Sequence, residues 1–159
     1  MVDFNQADVA EFRASLNQQV VADDADAINE ALIAEFRATS GKVSGMFAGT
    51  RLLLLTTTGA KSGKPRTVPV LYTRDAHRYV ILASKAGAPM NPSWYHNLVA
   101  HPRAIVELRD ETFEAMSAAS QGEERDRLYA RQAEQLPMYA EYQERTSRRI
   151  PVVVLERLR

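Results

Sequence analysis

Cysteine is absent from the 159-residue chain, which excludes disulfides, thiolate metal sites and a thiol nucleophile. The absence of disulfides agrees with a reducing compartment, so we expect a cytoplasmic protein. Strongly apolar runs such as Leu52 to Leu55 are far shorter than the roughly 20 residues that span a bilayer. Met1 to Ala10 carries two aspartates and no basic residue, which is not the pattern of a signal peptide. The length and the 45% hydrophobic content predict one domain over residues 1–159.

Acidic residues are almost missing from the centre of the chain. Between Phe36 and Val106 the sequence has ten lysines and arginines, all three histidines and one acidic residue, Asp75. This segment therefore carries a net charge of +9 and the flanks carry −9, since the whole chain sums to zero. Segregation of this size predicts a surface that meets an anion, although chance clustering with compensating flanks produces the same count.

Apolar residues recur every four positions in two N-terminal segments, which predicts two helices: Phe12, Leu16 and Val20 in the first, and Ile28, Leu32 and Phe36 in the second. Asp24 is the expected N-cap of the second helix, and Gly41 is its expected stop. We expect residues 1–41 to form a helical extension of the domain formed by residues 42–159.

Six strands are predicted after this extension, at residues 51–58, 67–72, 79–83, 104–108, 112–118 and 151–155. The first is expected to be buried on both faces, and Pro69 marks the second as an edge strand. With 74–77 as a short turn, the first three strands are predicted to form an antiparallel meander. Further helices are expected to begin at Asn91-Pro92 and at Ser120, which forms a capping box with Glu123. Hairpins without strand–helix alternation favour an α+β fold that is mainly β, an antiparallel barrel with packed helices.

The loop between the first two predicted strands combines glycines with cations. Gly59 and Gly63 allow the backbone to approach a ligand closely. Lys61 and Arg66 bracket the turn, and Ser62 adds a hydroxyl, so the loop can hold a phosphate by charge and by hydrogen bonding. Its glycine spacing is not that of a Walker loop, and an ordinary solvated hairpin has the same composition.

A second candidate segment is 84–87, which ends a strand with a hydroxyl, a cation and a glycine. It leads to the helix expected near Asn91, whose N-terminal N–H groups favour an anion. Trp94 and Tyr95 on that helix are suited to wall a flat ring system, although a lone tryptophan is more often part of the core.

Taken in order, these blocks resemble the deazaflavin (coenzyme F-420)-dependent nitroreductase and quinone reductase family. The matching segments are distributed over roughly residues 45–155. They are 54–66, 83–87, 91–98, 101–102, 139–142 and 150–154. The resemblance implies an FMN-binding-like split β-barrel with Greek-key topology. It also implies reduced coenzyme F-420 as the hydride donor, with a quinone, an activated enone or a nitroaromatic as the small-molecule acceptor.

By position, the resemblance implies a set of cofactor-binding residues: Lys61, Ser62, Gly63, Pro65, Arg66, Thr67, Ser84, Lys85, Ala86, Gly87, Asn91, Trp94 and Asn97. Lys61 and Arg66 would hold the phosphate and the acidic tail of the coenzyme. Tyr139, Tyr142 and Ser84 would border the substrate or donate a proton. The central positive charge agrees with this, because the coenzyme carries a phosphodiester and several carboxylates.

Leu71 and Leu136 stand where some relatives have tyrosine, so we expect an apolar acceptor such as a quinone. The alternatives are an FMN-binding barrel enzyme, whose ligand needs less positive charge, and a non-catalytic cofactor carrier. Nucleic acid is not an expected partner, because the aromatic residues are not interleaved with the basic ones. The histidines lack metal spacing, and Arg145, Arg148 and Arg149 are interpreted as a solvated face. A homodimer and peripheral membrane contact through an apolar substrate are further expectations.

Overall fold

The computed structural model describes residues 25–158, in which seven strands form one sheet with four helices around it. The strands are β1 Leu52–Thr58, β2 Pro65–Leu71, β3 Thr73–Asp75, β4 Arg78–Leu82, β5 Arg103–Leu108, β6 Glu111–Ala119 and β7 Val152–Arg157. The helices are α1 Ala25–Ala38, α2 Ser93–Ala100, α3 Gly122–Gln135 and α4 Met138–Glu144. The predicted helix at residues 12–20 and the expected N-cap Asp24 lie outside the described residues.

The order of the strands forces the sheet to curl. Neighbours pair antiparallel in the order β2-β1-β5-β6-β7-β4-β3, so β2 and β3 are the two edges. Tyr72 is nevertheless the single residue between these edge strands in the chain. Six strand spacings in a flat sheet would separate the edges by about 29 Å, whereas two residues span about 7 Å. The sheet therefore curls until its edges approach each other at Tyr72, which gives a half-barrel of the antiparallel kind that the hairpins predicted.

The predicted meander of the first three strands is wrong. β4 pairs with β7, with Val80 opposite Val154, and with β3, but it does not neighbour β2. Residues 73–75 form β3, and the turn is confined to the next two residues, with Ala76 at a φ of 55°. β4 and β7 are both buried on both faces over most of their length, so each needs a neighbour deep in the sheet.

Both faces of β1 are buried, as predicted, but by different groups of side chains. Leu53 and Leu55 point into the barrel, where they join Trp94 of α2. Leu52 and Leu54 point outward, where α1, α3 and α4 cover the sheet. None of the four leucines is more than 5% exposed. The barrel interior and the helix-covered outer face therefore share β1 as their common wall.

α1 is held on the sheet by an apolar stripe and an ion pair. Leu32 and Phe36 are buried in the outer core. The guanidinium of Arg37 donates to both carboxylate oxygens of Glu107 in β5, at 2.9 and 2.8 Å. The helix ends at Ala38, and Gly41 closes the turn after it in agreement with the prediction, since this residue has a φ of 85° and its N–H donates to the Phe36 carbonyl at 2.8 Å.

Two helix starts differ from the prediction by one or two residues. Pro92 rather than Asn91 is the N-cap of α2, and Gln121 rather than Ser120 is the N-cap of α3. The Ser120 hydroxyl donates to Glu124 at 2.7 Å and caps no backbone N–H, so the capping box does not form. The Asn91 side chain is bonded to an arginine of another segment. Each predicted cap is thus hydrogen-bonded to another side chain, a local one for Ser120 and a distant one for Asn91.

Edge strand β3 is tied to α3 through its last residue. The Asp75 carboxylate meets Arg78 at 2.5 Å, Arg127 at 3.3 Å and Arg131 at 3.5 Å. Hydrogen bonds from Arg78 and then from Arg127 lower the pKa of Asp75 from 3.8 to about 2. Three guanidinium groups therefore anchor a strand that has a neighbour on one side only.

Replacing this carboxylate should produce a pH-dependent loss of stability. The folded pKa lies below the ordinary value, so the ionised Asp75 contributes stability that is present above pH 3.8 and is lost as the pH falls toward 2. We expect Asp75→Asn to lower the free energy of unfolding by about 1 kcal/mol at neutral pH. Urea unfolding of both proteins from neutral pH down to pH 3 measures this. A difference that does not shrink with acid would contradict the assignment.

Candidate cofactor-binding site

A cleft of about 1020 Å³ opens beside the hairpin between β1 and β2. Seven of the predicted cofactor-binding residues line it together: Lys61, Ser62, Pro65, Arg66, Thr67, Trp94 and Asn97. They come from the hairpin, from β2 and from α2, which are brought together by the fold. The volume is at the upper end for small-molecule and cofactor sites, which are roughly 300–1,000 Å³.

The hairpin loop at the cleft is a tight turn closed by its own backbone. The Gly59 N–H donates to the Lys64 carbonyl at 2.8 Å, and the Gly63 N–H donates to the Gly59 carbonyl at 2.9 Å. The Ser62 hydroxyl packs directly against Gly59, since a β-carbon there would lie 2.3 Å from the hydroxyl oxygen and 3.3 Å from the Lys64 carbonyl oxygen. Gly63, at the tip, has a φ of 68° and does not line the cleft. The turn thus presents Lys61 on a constrained backbone.

Asn97 connects α2 to this loop through both ends of its side-chain amide. Its Oδ1 accepts a hydrogen bond from the Ala60 N–H at 3.0 Å, and its Nδ2 donates to the Thr57 hydroxyl at 3.0 Å. The residue is only 8% exposed, so these bonds form away from water, where an unsatisfied amide would be costly. Asn97 therefore orients the residue that precedes Lys61.

Lys61 and Arg66 in the cleft have no carboxylate partner among residues 25–158. Ser62 adds a hydroxyl, and the Thr67 hydroxyl is hydrogen-bonded to that of Thr56 at 2.8 Å. Two unpaired cations beside hydroxyl groups are suited to a phosphate or another multiply charged anion.

Arg148 supports the second predicted segment, 84–87, and the residues on either side of it. Its guanidinium donates to the carbonyls of Ala83 at 3.2 Å, Ser84 at 2.7 Å and Ala88 at 2.9 Å. It also donates to Asn91 Oδ1 at 2.7 Å. Desolvation lowers the pKa of Arg148. The expectation that Arg148 lies on a solvated face is therefore wrong. The carbonyl groups of this irregular segment need a donor, and the five N–H groups of a guanidinium can satisfy several of them at once.

The backbone of this segment is strained. Lys85, Ala86 and Gly87 have φ values of 46°, 54° and 79°, and two of them are not glycine. Each non-glycine residue in this region costs of order 1–3 kcal/mol, which the surrounding structure must offset. A β-carbon at Gly87 would lie 2.8 Å from the Tyr142 carbonyl oxygen and 2.9 Å from Arg145 Cβ. The segment is therefore packed directly against α4, and none of the predicted cofactor-binding residues 84–87 lines the cleft.

Tyr139 and Tyr142 lie in the outer core and do not line the cleft. Tyr139 is 6% exposed, Tyr142 is fully buried, and their rings meet edge to face at 5.5 Å. Leu71, Leu136 and Ala86 belong to the same apolar cluster. Burial, with Tyr142 acting in the same direction, raises the pKa of Tyr139, so its phenol stays protonated at neutral pH. Their role as substrate-bordering or proton-donating residues stays a prediction.

Sequence reasoning missed the contribution of α1 to the cleft. Asn29, Glu30 and Ile33 line it opposite the hairpin, and His96 joins Trp94 from α2. The spacing of four between Asn29 and Ile33, beside the predicted apolar stripe, was a usable signal. In residues 25–158 no group of three or more histidines or carboxylates is placed to hold a metal ion. None of the helices in that range is long and apolar enough to cross a membrane.

The contact between Gly87 and α4 should make this position intolerant of a side chain. We expect Gly87→Ala to lower the free energy of unfolding by about 2–4 kcal/mol, because it adds a backbone clash to the cost of a left-handed alanine. Gly45→Ala is the matched control, since Gly45 has a φ of 70° and no atom lies within 4 Å of its added β-carbon. Thermal or urea unfolding compares them, and equal losses would contradict the contact.

The two hydrogen bonds of Asn97 should be separable by mutation. Asn97→Leu removes both and leaves the Ala60 N–H unsatisfied, so we expect a loss of about 2–3 kcal/mol in the free energy of unfolding. Thr57→Val removes only the bond to the hydroxyl and should cost about 1 kcal/mol. Urea unfolding measures both variants. If Thr57→Val costs as much as Asn97→Leu, the bond to the hairpin loop does not stabilise the fold.

Comparison with known proteins places this geometry in a family. A family model described as F420H(2)-dependent quinone reductase matches residues 30–157. An F420H(2)-dependent quinone reductase of Mycobacterium tuberculosis is 42% identical over 128 residues, which are 77% of this chain and 85% of that protein. A putative F420H(2)-dependent quinone reductase of the same organism is 32% identical over 103 residues, 65% of this chain and 87% of that protein.

Solved structures agree with the sequence comparisons. The structure of an F420-H2 dependent reductase has a TM-score of 0.62 and 42% identity, covering 67% of this chain and 94% of that chain. A heme storage protein from Vibrio cholerae has a TM-score of 0.55 at 17% identity, covering 82% and 90% of the two chains, and shows a shared fold only. The predicted split-barrel fold is thereby confirmed, and the chain belongs to the F420H(2)-dependent quinone reductase family.

Proposed function

We propose that this protein transfers a hydride from reduced coenzyme F-420 to a quinone or a similarly electron-poor acceptor. The proposal is carried by Lys61 and Arg66, two cations at a coenzyme-sized cleft that have no carboxylate partner in the described part of the chain. Membership in a family described by this coenzyme supplies the identity of the ligand. The bound coenzyme supplies the hydride, and the protein supplies position and electrostatics.

The charge of the cleft distinguishes this coenzyme from FMN. Coenzyme F-420 carries a phosphodiester and several carboxylates, whereas FMN carries one phosphate and no acidic tail. Lys61 and Arg66 are proposed to hold the phosphodiester and the start of the acidic tail, with Ser62 and Thr67 as hydroxyl donors. Gly63, Pro65 and Asn97 shape the hairpin that presents these groups. The two cations without a carboxylate partner support the coenzyme with the larger negative charge.

The ring system of the coenzyme needs a flat apolar wall and an edge with polar groups. Trp94 is proposed to supply part of this wall, because it lines the cleft while most of its side chain is buried in the barrel interior. Ser84 and Lys85, with the backbone at 86–87, do not line the cleft, and the proposal that they face the ring edge rests on the family resemblance. The guanidinium of Arg148 binds backbone carbonyls of this segment, which supports an orientation in which the other side of the segment faces the ring. Asn91 keeps the segment attached to the start of α2 through the same guanidinium.

The acceptor is proposed to bind next to the apolar cluster that contains Tyr139 and Tyr142. Leu71 and Leu136 in this cluster offer no hydrogen-bond donors, which favours a quinone over a nitroaromatic or an enone. Reduction of a quinone to a hydroquinone takes one hydride and one proton. The proton is proposed to come from water or from a hydroxyl of Ser84, Tyr139 or Tyr142. Burial raises the pKa of Tyr139, so this phenol keeps its proton at neutral pH.

Association with a second copy is a further part of the proposal. One solved relative, at 42% identity and a TM-score of 0.62, is described as a domain-swapped dimer and covers 67% of this chain and 80% of that chain. The exposed edge strand β2 is a second reason to expect self-association. Contact with a membrane is proposed only through an apolar acceptor.

Binding of the oxidised coenzyme and of FMN, followed by fluorescence at two salt concentrations, tests the cofactor assignment. We expect tight, salt-sensitive binding of the coenzyme and weak binding of FMN. Lys61→Ala with Arg66→Ala should weaken coenzyme binding by about 100-fold, since two charge-assisted contacts are removed. Lys42→Ala with Arg103→Ala is the control, because it removes the same charge from outside the cleft.

The outcomes separate the rival functions. An equal loss in the control pair would show that overall charge, not the cleft, governs binding. Tighter binding of FMN would favour the FMN-barrel enzyme. Tight coenzyme binding without turnover of any quinone would favour the non-catalytic carrier.

A further inference from the structure

A second cavity lies at the other end of β1 from the cofactor cleft. Its volume is about 250 Å³, and its wall includes the start of β1, the turn between β5 and β6 and the residues after α1. Arg51, Tyr72 and Arg109 line it, and none of the described residues that line it carries a carboxylate. The cofactor cleft is lined instead by Thr57 and Gly59, at the opposite end of the same strand.

Two arginines of this cavity are uncommitted. Most arginine side chains in residues 28–158 have a carboxylate, a backbone carbonyl or an aromatic ring as partner. In that range the exceptions are Arg51, Arg66, Arg103 and Arg109. Arg66 lines the cofactor cleft, and Arg103 lines neither cavity. Arg51 and Arg109 both line one small cavity, so an anion in it would have two guanidinium groups available as partners.

The third polar group of the cavity is also a hydrogen-bond donor. Tyr72 is 9% exposed. Burial raises the pKa of its phenol, and the positive charges of Arg51, Arg109 and Arg74 act in the opposite direction. The phenol stays protonated at neutral pH. Two guanidinium groups and a phenol O–H form a donor set that matches the oxygens of a phosphate or a carboxylate.

The backbone around these donors is already fixed. The Tyr72 N–H donates to the Arg51 carbonyl at 3.0 Å, which locks the two residues side by side. Arg109 has a φ of 57°, and a β-carbon on Gly41 would lie 3.2 Å from Arg109 Cα. The turn that carries Arg109 is therefore pressed against the end of α1. A site whose supports are ordered in advance loses less free energy when a ligand binds.

We propose that this cavity binds a small oxyanion, a phosphate or a carboxylate group, through Arg51, Arg109 and Tyr72. The volume accommodates one such group with a short organic body and is too small for a coenzyme. The bound anion bridges the start of β1 and the turn between β5 and β6. Because Tyr72 is also the joint between the edge strands, occupancy stabilises the closed end of the barrel.

Ligand-dependent thermal unfolding tests the site. The background is Lys61→Ala with Arg66→Ala, so that phosphate cannot act through the cofactor cleft. Inorganic phosphate and sodium acetate are titrated separately at constant ionic strength, with chloride as the reference. We expect phosphate or acetate to raise the melting temperature above the chloride baseline. Adding Arg51→Gln or Arg109→Gln should weaken the apparent affinity by about tenfold or more.

The controls keep the proposal falsifiable. Arg103→Gln removes an uncommitted arginine outside the cavity and should leave the affinity unchanged. Tyr72→Phe keeps the ring in the core and removes only the hydroxyl, so it should weaken binding without unfolding the chain. A stronger response to phosphate or to acetate identifies the ligand class. The proposal is overturned if neither anion exceeds chloride or if Arg103→Gln weakens binding as much as Arg51→Gln.

This site stands apart from the proposed function. In the otherwise unmodified protein, Arg51→Gln should leave the affinity for coenzyme F-420 unchanged, because Arg51 does not line the cofactor cleft. Failure of phosphate and acetate to bind would leave the coenzyme assignment intact. Conversely, a protein that prefers FMN would still be expected to bind the oxyanion.

Discussion

The single-residue joint at Tyr72 is the constraint from which the architecture follows. It links the two edge strands of a seven-stranded sheet, so the sheet has to curl until its edges meet. Curling creates an interior, which α2 fills with Trp94 and Leu98. It also creates an outer face, which α1, α3 and α4 cover. β1, β4 and β7 are consequently buried on both faces over most of their length, and the two cavities open at the ends of β1.

Both candidate binding sites lie at the ends of a single strand, β1, whose own residues form the barrel wall. At one end the chain turns through glycines and presents Lys61 to a large cleft. At the other end the chain enters the barrel beside Arg51 and a small cavity. Cations that are not needed for the fold lie at both places. The guanidinium groups of Arg148 and Arg125, in contrast, donate hydrogen bonds to backbone carbonyls. Whether a lysine or arginine has a partner within the protein, more than how many such residues there are, distinguishes cations that can bind a ligand from cations that stabilise the fold.

Features that depend on neighbouring residues were predictable. The four-residue spacing and Gly41 predicted the body and the end of α1, and Pro69 marked β2 as an edge. The two glycines and the cations of the β1–β2 loop identified the core of the cleft. Features that depend on distant partners were not. The meander was predicted because consecutive strands usually pair, yet β4 pairs with a strand about 70 residues later, and no local pattern indicates that choice.

By itself, the sequence determined the charge segregation, the identity of most helices and strands and the loop that carries Lys61, because each depends on composition or short-range spacing. The family resemblance rested on the same local blocks. Only the tertiary structure decided that Arg148 supports residues about 60 positions away, that Asn97 orients the hairpin, and that α1 walls the cleft. It alone brought Arg51 and Arg109 to one cavity. The physical reason is that a charged or polar side chain acquires its role from the partners that folding brings within hydrogen-bonding distance.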